Sequence, residues 1–161
     1  MDPIGRQARL PDGYVDKGTK LSVVPWADVR RRLEESEFFW FATATPDGEP
    51  HARPIWGAWI DDTFYFDGGV DRTRWGRDLL ANPRIEVHLP SAEEVVIVTG
   101  TFSRENDLDA DSFKRVQASY LSRYKSYQPE EPAGLFMVKP ISALAWTVFP
   151  GNVTRFTFQS P

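Results

Sequence analysis

A mainly β fold, an antiparallel barrel with flanking helices, is what this 161-residue sequence predicts. Three observations carry that expectation. Aromatic residues make up 14% of the chain, while Ala, Leu and Lys do not dominate, and aromatic and β-branched side chains suit half-buried strands. Roughly six to eight short strand-like runs recur, joined mostly by tight turns. The strands are not each followed by a helix, which disfavours a parallel α/β sheet. The length fits one domain. The division expected is an N-terminal arm over residues 1–20 and a single barrel domain over 21–161.

The elements are justified in order. Residues 1–20 are polar and rich in turn formers (Pro3, Gly5, Pro11, Gly13, Gly18), so they read as an arm or loop. SVVPWADVRRRLEES reads as a helix, with Pro25 suited to its first turn and Trp26, Val29 and Leu33 at helical spacing. FFWFATATPDGEPHARPIWGAWI is a hairpin, two strand-like runs about Pro46, Asp47, Gly48 and Glu49. A third strand, Thr63 to Asp67, follows the Asp61-Asp62 turn and completes a meander. DGGVDRTRWGRDLLANP holds a short helix with Trp75, Leu79 and Leu80 on one side, stopped by Asn82-Pro83. RIEVHL and EVVIVTGTF alternate as strands. Asp109 to Tyr124 is an amphipathic helix with acids in its first turn and Phe113, Val116, Tyr120, Leu121 and Tyr124 on one stripe. The loop KSYQPEEPAG follows it. GLFMVKPISALAWTVFPGNVTRFTF then gives two or three strands interrupted at Pro140 and at Pro150-Gly151.

Composition removes several function classes. The net charge is −4 and the pI about 5.2, so the chain repels phosphate backbones and no nucleic-acid partner is expected. There is no cysteine and there are two histidines, which leaves no thiolate chemistry and little for a metal. MDPIGRQARL lacks the basic start and apolar core of a signal peptide, and no membrane-length apolar run occurs. A soluble, cytoplasmic protein without a membrane partner is expected.

Two stretches carry candidate chemistry. In PHARPIWGAWIDDTFYF, Pro54 has no N–H to give and belongs at an edge, bulge or break in the sheet. Gly57 admits close approach to the backbone, and Trp56 and Trp59 offer flat surfaces. That combination suits a planar heterocycle; it also fits an edge strand with a solvated Arg53 and two core tryptophans. In DGGVDRTRWGRDLL, a glycine pair precedes Thr73 and three arginines (Arg72, Arg74, Arg77) at a helix start. Free N–H groups, the positive end of the helix dipole and guanidiniums together suit a small phosphate. A solvated basic turn facing Asp67, Asp71 or Asp78 is the other reading.

The order FATATPDGEPHARPIWGAWIDDTFYFDGG, TRWGRDLLANPRIEVHL, VVIVTGTF and VKPISALAWTVF…VTRFTF resembles the pyridoxamine 5′-phosphate oxidase-like split β-barrel family, over about residues 26–158. The resemblance implies a homodimeric split antiparallel β-barrel, holding FMN or the deazaflavin coenzyme F-420 in a groove at the subunit interface. Arg53, Pro54, Ile55 and Trp56 match the strand along the ring system and phosphate. Thr73, Arg74 and Arg77 match the phosphate-gripping turn and helix, and Trp75 stands where the family has a lysine. Trp146 and Arg155 match late strands that reach the partner's cofactor. The implied activity is a flavin- or deazaflavin-dependent oxidoreductase acting on a small conjugated molecule. A non-catalytic flavin, haem or tetrapyrrole binder on the same fold is the alternative. Such chemistry resides in the cofactor and needs little from side chains; His51, His88 and Tyr124 are candidate proton donors. No spacing supports a Ser-His-Asp hydrolase.

Overall fold

The computed structural model describes residues 1–125 and 127–159. Ser126, inside the loop expected after the last helix, and residues 160–161 of the expected domain lie outside the described residues. The elements run β1 (Ile4–Gln7), α1 (Trp26–Glu35), β2 (Phe39–Ala44), β3 (Pro50–Ile55), β4 (Ala58–Ile60), β5 (Thr63–Asp67), α2 (Arg74–Ala81), β6 (Arg84–His88), β7 (Val95–Ser103), α3 (Ala110–Tyr124), β8 (Leu135–Trp146) and β9 (Thr154–Thr157). The pairings are antiparallel, in the order β1-β9-β8-β7-β6-β2-β3, with β4 on β5 and β5 on β8.

Strand β8 is where the sheet divides. One edge of it pairs with β7 from Met137 to Trp146, apart from one bulged residue. On the other edge, Leu135–Val138 pair with β5 and Ser142–Ala145 with β9, so two wings diverge from one strand. The register slips between Thr99 and Gly100: Gly100 faces Pro140, Thr99 faces Ser142, and Ile141 is left over. Proline cannot donate to a ladder, so a bulge forms where the sequence had suggested an interruption. Glycine is required opposite it, because a Cβ on Gly100 would sit 2.6 Å from Val138 Cγ1 and 2.7 Å from the Lys139 carbonyl oxygen. The sheet curls without closing, a split antiparallel barrel.

Alternation sends Phe39, Phe41, Ile85, Val87, Val96, Val98, Ala143, Ala145 and Phe156 inward. Helix α1 closes that core with Trp26, Val29 and Leu33, the positions its spacing had singled out, and Trp26 packs on Phe156 at a centroid distance of 5.0 Å. Each large apolar side chain so buried contributes roughly 1.5–3 kcal/mol. A second cluster lies across β4, β5 and the start of β8, where Val116, Tyr120 and Tyr124 of α3 cover Ala58, Ile60, Tyr65, Leu135 and Met137. Strand β4 is therefore buried on both faces.

Three expectations need correction. The segment expected to be an arm or loop contains β1, which pairs Ile4–Gln7 with Thr154–Thr157; a four-residue strand containing glycine gives too short an alternation to read. The run RPIWGAWI is not one strand, so the simple meander fails: β3 stops at Ile55 and β4 starts at Ala58. At the break, Tyr124 OH accepts from Gly57 N–H (3.0 Å) and lies 3.2 Å from the Gly57 carbonyl oxygen, replacing a strand partner with a side chain from α3. Leu80 and Leu121 leave their expected apolar stripes and are exposed, 46% each.

Candidate functional site

Strand β3 is a free edge of the sheet and, among the described residues, pairs only with β2. Register sets Arg53 opposite Phe41 and His51 opposite Thr43, so these polar side chains stand on the face that elsewhere forms the core. Helix α2 comes up against that face. Its start is fixed locally: the Gly69 carbonyl accepts from the N–H groups of Arg72 and Thr73 (both 3.0 Å), and Thr73 Oγ1 caps the helix by accepting from Gly76 N–H (3.2 Å). Between β2, β3 and α2 lies a cleft of about 160 Å³ lined by Phe41, Thr43, His51, Arg53, Arg74 and Trp75, with Ala52 at its rim.

The polar groups form a chain. Arg74 Nη2 donates to Glu49 Oε2 at 2.9 Å, and His51 Nε2 lies 3.5 Å from Glu49 Oε1. His51 Nδ1 lies 3.0 Å from Asp78 Oδ2, and the Thr43 hydroxyl donates to the same oxygen at 3.2 Å. Asp78 is only 5% exposed, and these two neighbours keep its buried charge hydrogen-bonded. Arg53 is in no ion pair among the described residues. Two guanidiniums at one small cleft suit an anion. Glu49 competes for Arg74, but an exposed ion pair is worth roughly 0–1 kcal/mol, whereas a charge-assisted bond to phosphate contributes roughly 1.5–3.

The expected site residues divide into groups. Arg53, Arg74 and Trp75 line the cleft. Thr73 is the helix cap, and Arg77 stands exposed farther along α2. Pro54 lies opposite Trp40 on the other face of the sheet, while Ile55 lies opposite Phe39. Trp56, beyond the end of β3, stacks on Tyr124 with centroids 4.5 Å apart and planes 8° apart. Trp146 and Arg155 stand on β8 and β9, at the other end of the strand order from β3. Thr43 in the cleft, and Glu49 and Asp78 hydrogen-bonded to its lining, were not expected as site residues; Asp78 was named only as a possible partner of the basic turn. Asp78 sits three positions after Trp75 on the buried face of α2, a spacing that could have found it.

Beside Trp56 a second polar cluster gathers on Asp67, which accepts from the Tyr127 hydroxyl and lies 3.4 Å from Tyr120 OH. The hydrogen bond to Asp67 and partial burial push the Tyr127 phenol up to about 12; burial first, then Asp67, raises Tyr120 as well. A folded value above the ordinary 10.0 means that the fold favours the protonated phenol. The stabilisation is full below the ordinary value and is lost as pH climbs through about 12. Tyr127→Phe should therefore flatten the fall of Tm across that alkaline range, and an unchanged slope would contradict the assignment.

Comparison with known proteins agrees with this architecture. The model of the family described as pyridoxamine 5′-phosphate oxidase matches residues 26–146. The chain is 33% identical over 137 residues to a pyridoxine/pyridoxamine 5′-phosphate oxidase of Cupriavidus metallidurans, a match covering 81% of this chain and 64% of that protein. It thus spans less than two thirds of that relative's length. Two solved structures share the fold. A haem-binding protein from Mycobacterium smegmatis aligns with a TM-score of 0.62 at 20% identity, over 84% of this chain and 60% of that one. An F-420 reductase aligns at 0.51 and 21%, over 83% and 98%. With a family match running from the start of α1 to the end of β8 on a split barrel, the chain belongs to the pyridoxamine 5′-phosphate oxidase family.

Proposed function

We propose that the cleft between β2, β3 and α2 holds the phosphate of FMN or coenzyme F-420, and that the protein is an oxidoreductase for a small conjugated substrate. The observation that carries this reading is the meeting of Arg53 and Arg74 at one cleft beside an unpaired strand edge. The donor set fits the group: guanidiniums and a histidine for phosphate, an open backbone edge for a flat ring, and Trp56 as an aromatic wall 45% exposed. When bound, the cofactor supplies hydride transfer. This chain's residues bind and orient it. Arg53 and Arg74 take the phosphate charge, Thr73 holds the start of α2, and Arg77 adds positive potential one turn on. Pro54 and Ile55 shape the strand along which the ring lies. Trp75 lends the cleft an apolar wall instead of a further cation.

The same reading makes the protein a homodimer. The outer face of the sheet carries Ile4, Trp40, Ile97, Ile141, Leu144 and Trp146 with no described helix over it, and Ile4, Trp40 and Ile141 are exposed. A second copy on that face would bring its Trp146 and Arg155 towards the ring, which a single chain cannot do. No described helix is long and apolar enough to cross a membrane.

A tetrapyrrole binder is the second reading. It is favoured by a wider cleft of about 540 Å³ on the outer face, where His88 lies parallel to Trp40 at 6.4 Å. Titrating FMN, FAD, F-420 and haem into one sample separates the two. Flavin or deazaflavin fluorescence quenched at micromolar concentration is the expected result. A Soret shift with no flavin response would replace the first reading with the second.

A further inference from the structure

Strands β1 and β9 set two like charges against each other. Register puts Arg6 directly opposite Arg155, and their side chains share the outer face with Ile4 and Thr157. Like charges directly across a ladder destabilise it unless something neutralises them. Among the described residues nothing does: a cleft of about 470 Å³ is lined by Arg6, Arg155 and Arg9 with Ile4, Gln7 and Thr157, with no described carboxylate in its lining. Among the described residues none of these three arginines is in an ion pair. In a chain with 23 acidic residues and a net charge of −4, three uncompensated guanidiniums around one cleft form a local excess. Arg30, Arg74, Arg104 and Arg115 each have an acidic partner, whereas these three, like Arg53, have none among the described residues.

We propose that this cleft is a binding site for a small organic polyanion, a molecule with two or more carboxylate or phosphoryl charges on a compact body. Planar guanidiniums are suited to both groups and bind them in two-point fashion. The volume lies within the ordinary range for small-molecule sites, and Ile4 and Ala8 supply an apolar patch for the ligand's carbon skeleton. The site stands apart from the phosphate cleft at α2: β1 is at one end of the strand order and β3 at the other. It does not depend on the cofactor reading, though Ile4 and Arg155 also lie on the face that the homodimer reading covers.

The test is thermal unfolding of the full chain in pyrophosphate and, separately, in citrate, with ionic strength held constant by NaCl. Wild type should gain about 5 °C in Tm at roughly a hundredfold excess over Kd. A response to pyrophosphate alone assigns the site to phosphoryl ligands, and one to citrate alone to carboxylates. The Arg6→Gln and Arg9→Gln double variant, which leaves Arg155 and the α2 cleft intact, should lose that gain while Arg74→Ala keeps it. Absence of any gain beyond the NaCl control overturns the proposal. So does a gain that survives in the double variant, or one lost only in Arg74→Ala, which would assign the anion to the α2 cleft. Arg6→Gln alone should also raise the Tm measured without ligand, since it removes the cross-strand repulsion; a fall would contradict it.

Discussion

Trp75→Lys lowers the unfolding free energy by about 3 kcal/mol or more, measured by urea denaturation. Truncating a buried tryptophan costs about 3–5 kcal/mol, and lysine's methylenes recover little of it because the ammonium must stay near water. The indole is 4% exposed and packs edge-on against Phe41 at 5.5 Å and tilted against Phe66 at 5.8 Å. It also lies over Gly68, where a Cβ would be only 3.2 Å from Trp75 Cζ2. Trp75 thus belongs to the core as much as to the cleft. The position that resembles a phosphate-gripping lysine has been given to packing, and on the proposed reading Arg53 and Arg74 are left to meet the anion. A change below about 1 kcal/mol would show that the indole is not holding α2 against the sheet.

Gly76→Ala is the companion prediction, with an effect of roughly 3 kcal/mol or more, at or beyond the upper end for overpacking. The added Cβ would fall 1.8 Å from the Val70 carbonyl oxygen and 2.5 Å from its carbonyl carbon. Those are backbone atoms, so no side-chain rotation relieves the clash. The helix must move away from the turn that precedes it, taking Arg74 and Asp78 along. The same substitution at Gly69 is the control, because its Cβ would find nothing closer than Thr73 Cγ2 at 3.7 Å and should cost less than about 0.5 kcal/mol. Comparable losses at both glycines would mean that the close contact of α2 with Val70 is not what makes Gly76 necessary.

The legible parts of the fold are those whose cause is local. The β2–β3 turn could be read from Pro46-Asp47-Gly48 because Gly48 takes φ +92°, which other residues avoid. Thr73 and Asp109 could be read as helix starts because their side chains cap the next turn. Pro140 announced a disturbance, although the strand continues through it by slipping register on β7. What stayed hidden depends on distant partners. The break at Gly57 is held by a tyrosine 67 positions later. Strand β1 exists because β9 offers it an edge. At the candidate site, residue type and turn chemistry singled out Arg53 and Arg74, which line one cleft. Glu49 and Thr43 were not legible as site residues, because their roles come from the packing of α2 onto β2 and β3, and Asp78 could be read as a buried position of α2 but not as the partner of Thr43 and His51.

The central claim is that Arg53 and Arg74 recognise a phosphate, and a paired titration of FMN and riboflavin tests it most directly. Wild type should prefer FMN, and Arg53→Ala with Arg74→Ala together should remove most of that preference while changing riboflavin affinity little. Each charge-assisted bond lost corresponds to roughly 1.5–3 kcal/mol, or about 10- to 150-fold in Kd. Glu49→Gln, which frees Arg74 from its ion pair, should shift FMN affinity the opposite way. Equal loss for FMN and riboflavin in the double variant, or a wild type that binds both alike, would contradict the account.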